Sequence, residues 1–225
     1  MQKKLVEQAF RAEAGALGAA LAGLGAGDRS RATRCEPWTV VELLAHVRVA
    51  VGRVEAMLAA PEPGRAEVTA VGYYRPDERF DAATNEARIA LARDTAEDDT
   101  EAVAAFGRTW QDVAARFEAE AGTRVVRTRH GDPMLLTEFM ITRVVELAVH
   151  GLDLADALDR PAWLTDEASD VLESLLLKDA DGPSVRTALG WDRATFLRKA
   201  TGRAELDTAE QAEVARAGIT WLTLG

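Results

Sequence analysis

A helix that is apolar on nearly every side has to be buried, and residues 144–158 (VVELAVHGLDLADAL) predict such a helix. One stripe of it, extended towards its N-terminus, carries Leu136, Met140, Val144, Leu147 and Leu154. Most of the remaining circumference is also apolar, with Val145, Ala148, Val149 and Leu152. This segment is therefore expected to pass through the core of the protein.

Three further segments have apolar residues at helical spacing, and with the first they predict an all-α fold built on a four-helix bundle. The four segments are residues 5–24, 39–60, 97–120 and 132–159. Ala, Arg, Glu and Leu dominate the composition whereas Ile and Tyr are scarce, which favours helix over strand.

Two of the helix starts carry local signals. Thr39 and Glu42 have the spacing of a capping box, and Trp38 precedes them as an apolar residue that packs back on the first turn. Asp132 and Pro133 predict an N-cap and a first helical residue for the fourth helix. The start of the second helix is the better marked of the two.

Shorter elements are predicted for the rest of the chain. Residues 64–79 read as a loop, residues 81–94 as a shorter helix, and GTRVVRTRHGD, which follows the third helix, as an extended segment. The predicted bundle domain covers residues 1–160. Residues 161–225 predict a C-terminal extension with two or three helices and a final ITWLTLG of strand-like alternation. The extension would cover one end of the bundle or contribute to a dimer.

Charge and cysteine content narrow the classes of partner. The chain of 225 residues has 27 basic and 37 acidic residues and a formal charge of −10, which argues against nucleic acid and anionic membranes as partners. Its single cysteine, Cys35, excludes an internal disulfide framework, and the N-terminus has neither an apolar signal core nor a spanning segment. We therefore expect a cytoplasmic protein, monomeric or homodimeric, whose partners are small molecules or other proteins.

Four polar residues interrupt the buried helix on a single stripe: Arg143, Glu146, His150 and Asp153. Such a stripe faces water on many surface helices. Here the surrounding apolar residues indicate burial, and a buried charge must be paired or must hold a charged guest. Glu146 and His150 either bond each other or bind a metal ion.

A third metal ligand is available in the second helix. His46 lies among apolar neighbours in ELLAHV, about two turns after Thr39, and is either a core histidine or a ligand. Two histidines and one glutamate form a zinc site with one open position, which is the catalytic rather than the structural arrangement. The sequence therefore predicts a candidate metal site of His46, Glu146 and His150.

The two segments that carry these ligands, CEPWTVVELLAHV and VVELAVHGLDLADAL, resemble the mycothiol-dependent maleylpyruvate isomerase family, a branch of the DinB-like proteins. TGRAEL and WLTLG are similar to the C-terminal end of that family. One departure is EPW, where the family often has Pro-Gly before the tryptophan. The residues that match the family pattern in order are Trp38, Thr39, Val40, His46, Glu146, His150, Gly151 and Asp153.

The resemblance implies a DinB-type bundle, a divalent metal, usually zinc, on His46, Glu146 and His150, and mycothiol as the thiol cosubstrate. The predicted reaction is isomerisation or S-transfer, with the thiol used as a thiolate against an electrophilic small molecule. The resemblance does not transfer a particular substrate. A metal-dependent hydrolase and a non-catalytic, metal-stabilised binding protein stay open as alternatives.

Roles are also predicted around the ligands. Trp38 and Arg143 are assigned to cofactor binding, and Arg143 and Asp153 to catalysis, Arg143 by binding a carboxylate and Asp153 by orienting a ligand. Their alternatives are an ion pair of Arg143 with Glu146 and solvation of Asp153 at the helix end. Cys35, which has no histidine or lysine beside it in sequence, is expected to be a half-buried structural thiol.

Two loops also carry candidate site residues. Tyr73, Tyr74 and Arg75 follow the second helix and would either cover the mouth of the site or pack on the bundle. His130 lies in a loop and is expected to be solvated.

Overall fold

The computed structural model describes residues 2–74, 82–97, 101–177, 181–216 and 219. Within these ranges the chain is predominantly helical, with one two-stranded antiparallel sheet. The all-α prediction is therefore confirmed. The elements in chain order are α1 (Lys3–Ala20), α2 (Ala26–Arg29), α3 (Val40–Ala59), α4 (Ala70–Tyr73), α5 (Ala82–Glu97), α6 (Ala102–Ala119), β1 (Val125–Arg127), β2 (Pro133–Leu135), α7 (Leu136–Ala157), α8 (Asp166–Leu177), α9 (Gly182–Leu189), α10 (Arg193–Ala200) and α11 (Thr208–Arg216).

Four long helices, α1, α3, α6 and α7, form the bundle. Each contacts two neighbours, because α1 and α3 both pack against α6 and against α7. Helix α5 lies outside this ring on α3. The residues of α7 are all buried except Glu138, Glu146, His150, Asp156 and Ala157, which confirms that this helix runs through the core.

The start of α3 follows its sequence signal. Glu42 Oε2 accepts hydrogen bonds from the backbone N–H of Thr39 at 2.7 Å and from its hydroxyl at 2.8 Å. Trp38, just before the helix, is buried and reaches His46, two turns further along, where the rings stack. The start of this helix thus places an indole ring against a candidate ligand.

The predicted start of α7 is wrong by three residues. Pro133 begins strand β2 instead of a helix, and β2 pairs with β1 in the register Val125↔Leu135. Proline is tolerated as the first residue of a strand because its missing N–H is not needed there, and the Pro133 carbonyl accepts from the N–H groups of Glu67 and Val68. These partners are distant in sequence, so the strand is favoured by tertiary pairing.

The segment after α7 packs on the bundle through α8, which contacts α1 and α7. Glu13 of α1 is fully buried and accepts hydrogen bonds from the Thr165 backbone at 2.9 Å and the Thr165 hydroxyl at 2.6 Å, so a polar contact also joins the two parts. The division of the chain at residue 160 stays a prediction. The predicted terminal strand lies, except for Ile219, outside the described residues, as does Arg75.

Two connecting segments refine the sequence prediction. The predicted loop at residues 64–79 contains the short helix α4, whose N-cap Thr69 accepts from the Gly72 N–H. Helix α5 begins at Ala82 and confirms the predicted helix at 81–94 over the residues of that range that the structure describes. No helix in the described ranges combines the length and the apolarity that crossing a membrane would require.

Candidate functional site

The bundle brings the three predicted ligands together. Glu146 Oε2 lies 3.5 Å from His46 Nε2 and 3.5 Å from His150 Nε2. One ligand atom from each of the three residues falls within 4.8 Å of the others, and the side chains are only 15–20% exposed. Glu146 and His150 therefore do not simply bond each other, because His46 from α3 completes the cluster.

Asp153 sits behind His150, on the side away from Glu146. Its Oδ2 lies 3.0 Å from His150 Nδ1, and it is 1% exposed. Arg203, from the segment after α10, donates to both carboxylate oxygens at 3.0 Å. Asp153 is thus a buried, paired carboxylate, not a solvated residue at a helix end, and it is placed to hold His150 with Nε2 towards Glu146.

Burial and hydrogen bonds set the charges in this cluster. Burial raises the pKa of Glu146, but hydrogen bonds from His150 and His46 and the charge of Arg143 outweigh it and hold that pKa well below its usual range. Burial lowers the pKa of His46. Burial also lowers the pKa of His150, yet its hydrogen bonds, led by that to Asp153, raise it well above the ordinary value. Glu146 is therefore anionic at neutral pH.

These residues fit a divalent metal by the chemistry of their donors. Two imidazole nitrogens and a carboxylate oxygen that face one point are a donor set of catalytic zinc sites, with a further position left for a ligand. The bond from His150 Nδ1 to a carboxylate is the contact that metal-binding histidines usually make with their second nitrogen. Trp38 closes one side by stacking on His46, with ring centroids 4.5 Å apart.

The cluster opens into a cavity of about 630 Å³. Its lining comes from the loop before α3, from α3, α4, α5, the β1–β2 turn, α7 and the segment after α10. Tyr73 and Tyr74 both contribute to the lining, and Tyr74 is buried with its hydroxyl 3.4 Å from the Thr142 carbonyl oxygen. The tyrosines therefore pack on the bundle and line the cavity at the same time.

Residues 10–155 match the mycothiol maleylpyruvate isomerase N-terminal domain. The chain belongs to this family. The match spans the bundle and includes all three candidate ligands, and it ends before the C-terminal segment that supplies Arg203. No curated protein and no solved structure is significantly similar to the chain.

In this member of the mycothiol maleylpyruvate isomerase family, Arg143 is a buried residue with several partners. It is 2% exposed, its Nη1 donates to the Ala50 carbonyl at 2.9 Å, and its Nε and Nη2 donate to the Thr142 hydroxyl. Its Nη2 also lies 3.7 Å from Glu146 Oε1. The structure therefore contains the ion pair between Arg143 and Glu146. Arg143 also lines the cavity, and its role in binding a substrate stays a prediction.

Sequence reasoning missed two neighbours of the candidate metal cluster. Cys35 is half-buried, as expected, but its Sγ lies 3.9 Å from His150 Nδ1 and donates to Asp153 Oδ2 at 3.2 Å. Arg203 was noticed only as part of TGRAEL. Cys35 and His150 are 115 residues apart, so no local spacing could have paired them.

His130 is also placed differently from its prediction. It is half-buried, its ring centroid lies 6.0 Å from that of Tyr73, and it lines the cavity. His130 is therefore only partly exposed to solvent, because Tyr73 of α4 lies beside its ring.

Proposed function

We propose that this protein is a metal-dependent enzyme that uses mycothiol as a cosubstrate and acts as an isomerase or S-transferase on an electrophilic small molecule. One observation carries the proposal: His46, Glu146 and His150 converge on the wall of a cavity in a chain whose family is named for a mycothiol-dependent isomerase. A cavity of about 630 Å³ is also within the usual range for small-molecule sites, roughly 300–1,000 Å³.

The residues of the chain would divide the work as follows. His46, Glu146 and His150 hold the ion, and Asp153 keeps His150 in the tautomer whose Nε2 is free to bind it. A divalent metal, for which zinc is our choice on this donor set, would supply Lewis acidity that lowers the pKa of a thiol.

Trp38 is proposed to contact the thiol cosubstrate. Its indole lines the cavity and stacks on His46. Its Nε1–H is buried and meets no hydrogen-bond acceptor among the described residues. A buried donor without an acceptor carries a cost, which a polar group of the cosubstrate would relieve.

The nucleophile is proposed to be the external thiol and not Cys35. The Cys35 thiol donates to Asp153, and Asp153 is already engaged by His150 and Arg203. Cys35 therefore belongs to the network that supports His150. This assignment gives a direct test, because Cys35→Ser should keep thiol-dependent turnover whereas loss of a metal ligand should abolish it.

The deciding experiment combines metal analysis with mass spectrometry of products. Protein purified without chelator is incubated with a panel of electrophiles, with and without mycothiol, before and after metal removal. We expect an S-conjugate or an isomer only when both thiol and metal are present, with a rate that persists below the free thiol pKa of about 8.5.

Two outcomes would replace this proposal. Metal-dependent hydrolysis in thiol-free buffer, without conjugate or isomer when mycothiol is supplied, would identify a hydrolase that uses the same ligands. Absence of turnover on the whole panel, together with a large loss of thermal stability on chelation, would favour a metal-stabilised binding protein.

A further inference from the structure

Gly151 is the only glycine in the sequence of α7, a helix that is buried over most of its length. Glycine is less favourable than alanine in a helix interior, so the missing side chain must leave room for something else. A Cβ atom on residue 151 would lie 3.3 Å from Trp163 Nε1, closer than ordinary van der Waals contact, and 3.9 Å from Glu13 Oε1. The indole of Trp163 therefore lies against the backbone of α7 in space that glycine leaves free.

A buried donor and a buried acceptor meet at this contact. Trp163 Nε1 and Glu13 Oε1 are both shielded from solvent, and neither has a hydrogen-bond partner among the described residues. An indole N–H and a carboxyl oxygen are complementary, and leaving either one unsatisfied in the interior is unfavourable. A methyl group on residue 151 would touch both atoms. Gly151 thus allows the indole and the carboxyl group to approach each other over α7.

Trp163 belongs to the segment that connects α7 to α8, and this segment is held at two further points. Arg160 Nη1 donates to the Ala20 carbonyl at 2.6 Å. Thr165, just before α8, donates to Glu13 Oε2 through its backbone N–H at 2.9 Å and its hydroxyl at 2.6 Å. Both points lie on or next to α1, whereas Trp163 adds the contact with α7. The segment therefore fixes where α8 begins on the bundle.

The position of α8 affects the wall of the candidate site. Helix α8 packs on α10, and α10 packs on α7. The segment after α10 contributes Thr201, Gly202 and Arg203 to the cavity lining. Arg203 donates to Asp153, while Arg34 donates to the carbonyl oxygens of Gly202 and Arg203. A displacement of α8 would therefore move this wall and draw Arg203 away from Asp153.

We propose that Gly151 is a positioning residue, which seats the indole of Trp163 on α7 and thereby holds the segment after α10 against the candidate site, with Arg203 on Asp153. The seat acts through packing and requires neither metal nor substrate. The inference therefore goes beyond the proposed function and can be tested even if that function is wrong.

Cys35 can report whether the wall is docked. It is the single cysteine of the chain, it is half-buried, it lines the same cavity, and it follows Arg34, which is bonded to the wall. The unaltered protein and Gly151→Ala, both as purified, are treated with N-ethylmaleimide, and the adduct is followed by mass spectrometry. Forcing a methyl group into a packed contact shifts a local equilibrium by roughly fivefold or more. We expect Cys35 to react about five- to tenfold faster in Gly151→Ala, with faster hydrogen exchange in the segment after α10.

Matched variants separate docking from general stability. Alanine favours helix, so the Tm of Gly151→Ala should stay level or rise although the docking is weaker. Gly52→Ala makes the same change on α3, where the new Cβ would lie 3.4 Å from Thr109 Cγ2 of α6, and Cys35 should react as in the unaltered protein. Trp163→Phe removes Nε1 and should itself speed the reaction. Adding Gly151→Ala to Trp163→Phe should give no further increase.

Three results would overturn the proposal. The first is an unchanged reaction rate of Cys35 and unchanged hydrogen exchange in Gly151→Ala. The second is an equal increase in Gly52→Ala, which would indicate a general loosening of helix packing. The third is an effect of Gly151→Ala that is equally large in the Trp163→Phe background, since it would then not pass through the indole. If Gly151→Ala loses its helical circular dichroism, Trp163→Phe alone decides: faster reaction of Cys35 supports the seat, and an unchanged rate rejects it.

Discussion

Replacing Asp153 by Asn should reveal how much the proposed metal site depends on a residue outside the predicted ligand set. Asp153 is 1% exposed and contacts His150 Nδ1 at 3.0 Å and two nitrogens of Arg203 at 3.0 Å. Asparagine has nearly the same shape but no charge and only one acceptor oxygen. An amide oxygen in the place of Oδ2 can still accept from His150 Nδ1 and Arg203 Nη2, but the NH2 group in the place of Oδ1 cannot accept from Arg203 Nε, and the negative charge is lost.

The substitution should have two separable effects. Loss of the carboxylate behind a metal-binding histidine typically weakens metal affinity about 10- to 100-fold. Breaking a buried ion pair costs about 3–5 kcal/mol. We expect a loss of unfolding free energy at the lower end of this range, because Arg203 retains a hydrogen bond to the Thr201 carbonyl. For a chain of this size about 3 kcal/mol corresponds to a fall in Tm of roughly 6–12 °C.

Metal affinity is measured by competition with a chromophoric chelator, and stability by thermal melting of metal-free protein. Arg203→Gln is the matched control, since it breaks the same ion pair and leaves the bond between His150 and Asp153. It should lower Tm by a similar amount and change metal affinity less than about tenfold. If Asp153→Asn binds metal as tightly as the unaltered protein while its Tm falls, Asp153 does not orient His150 and this reasoning is refuted.

Three further predictions concern the ligands, Arg143 and pH. His46→Ala, Glu146→Ala and His150→Ala should each lose most of the roughly one divalent metal per chain while keeping helical circular dichroism, and full metal retention in any two of them would exclude the site. Arg143→Ala should raise KM for a carboxylate-bearing substrate more than it weakens metal binding, and unchanged KM for every active substrate would remove Arg143 from the substrate site. Burial lowers the pKa of His150, but its hydrogen bonds, first that to Asp153, raise it well above its ordinary value. In metal-free protein the protonated imidazole of His150 therefore raises the free energy of unfolding. This contribution is fully present below about pH 6.5, the pKa of an unfolded histidine, and is lost as the pH rises through the pKa of His150 in the folded protein. Because metal binds only the neutral ring, the Tm difference between metal-loaded and metal-free protein should widen between about pH 6 and 8, and a constant difference would contradict the assignment of His150.

Much of the bundle could be read from local patterns, because helical periodicity is a property of neighbouring residues. The apolar circumference of residues 144–158 indicated a buried helix. In the structure, the residues of α7 in this range that are not buried are all polar or alanine. The pair Thr39 and Glu42 located the start of α3. Glu146 and His150 are one turn apart, so the helix itself sets their relation, and His46 was recognised by its apolar neighbours.

What the sequence by itself determined were these helices and the candidate ligands they carry; the surroundings of the candidate ligands were decided by the tertiary structure. Cys35, Asp153 and Arg203 meet because a loop before α3, helix α7 and the segment after α10 converge. Pro133 entered a strand instead of a helix because β1 and residues 67–68 offered backbone partners. The lining of the cavity likewise brings residues of α3 together with residues of the β1–β2 turn. Each of these contacts depends on how distant elements pack, and side-chain spacing along one helix carries no information about that packing.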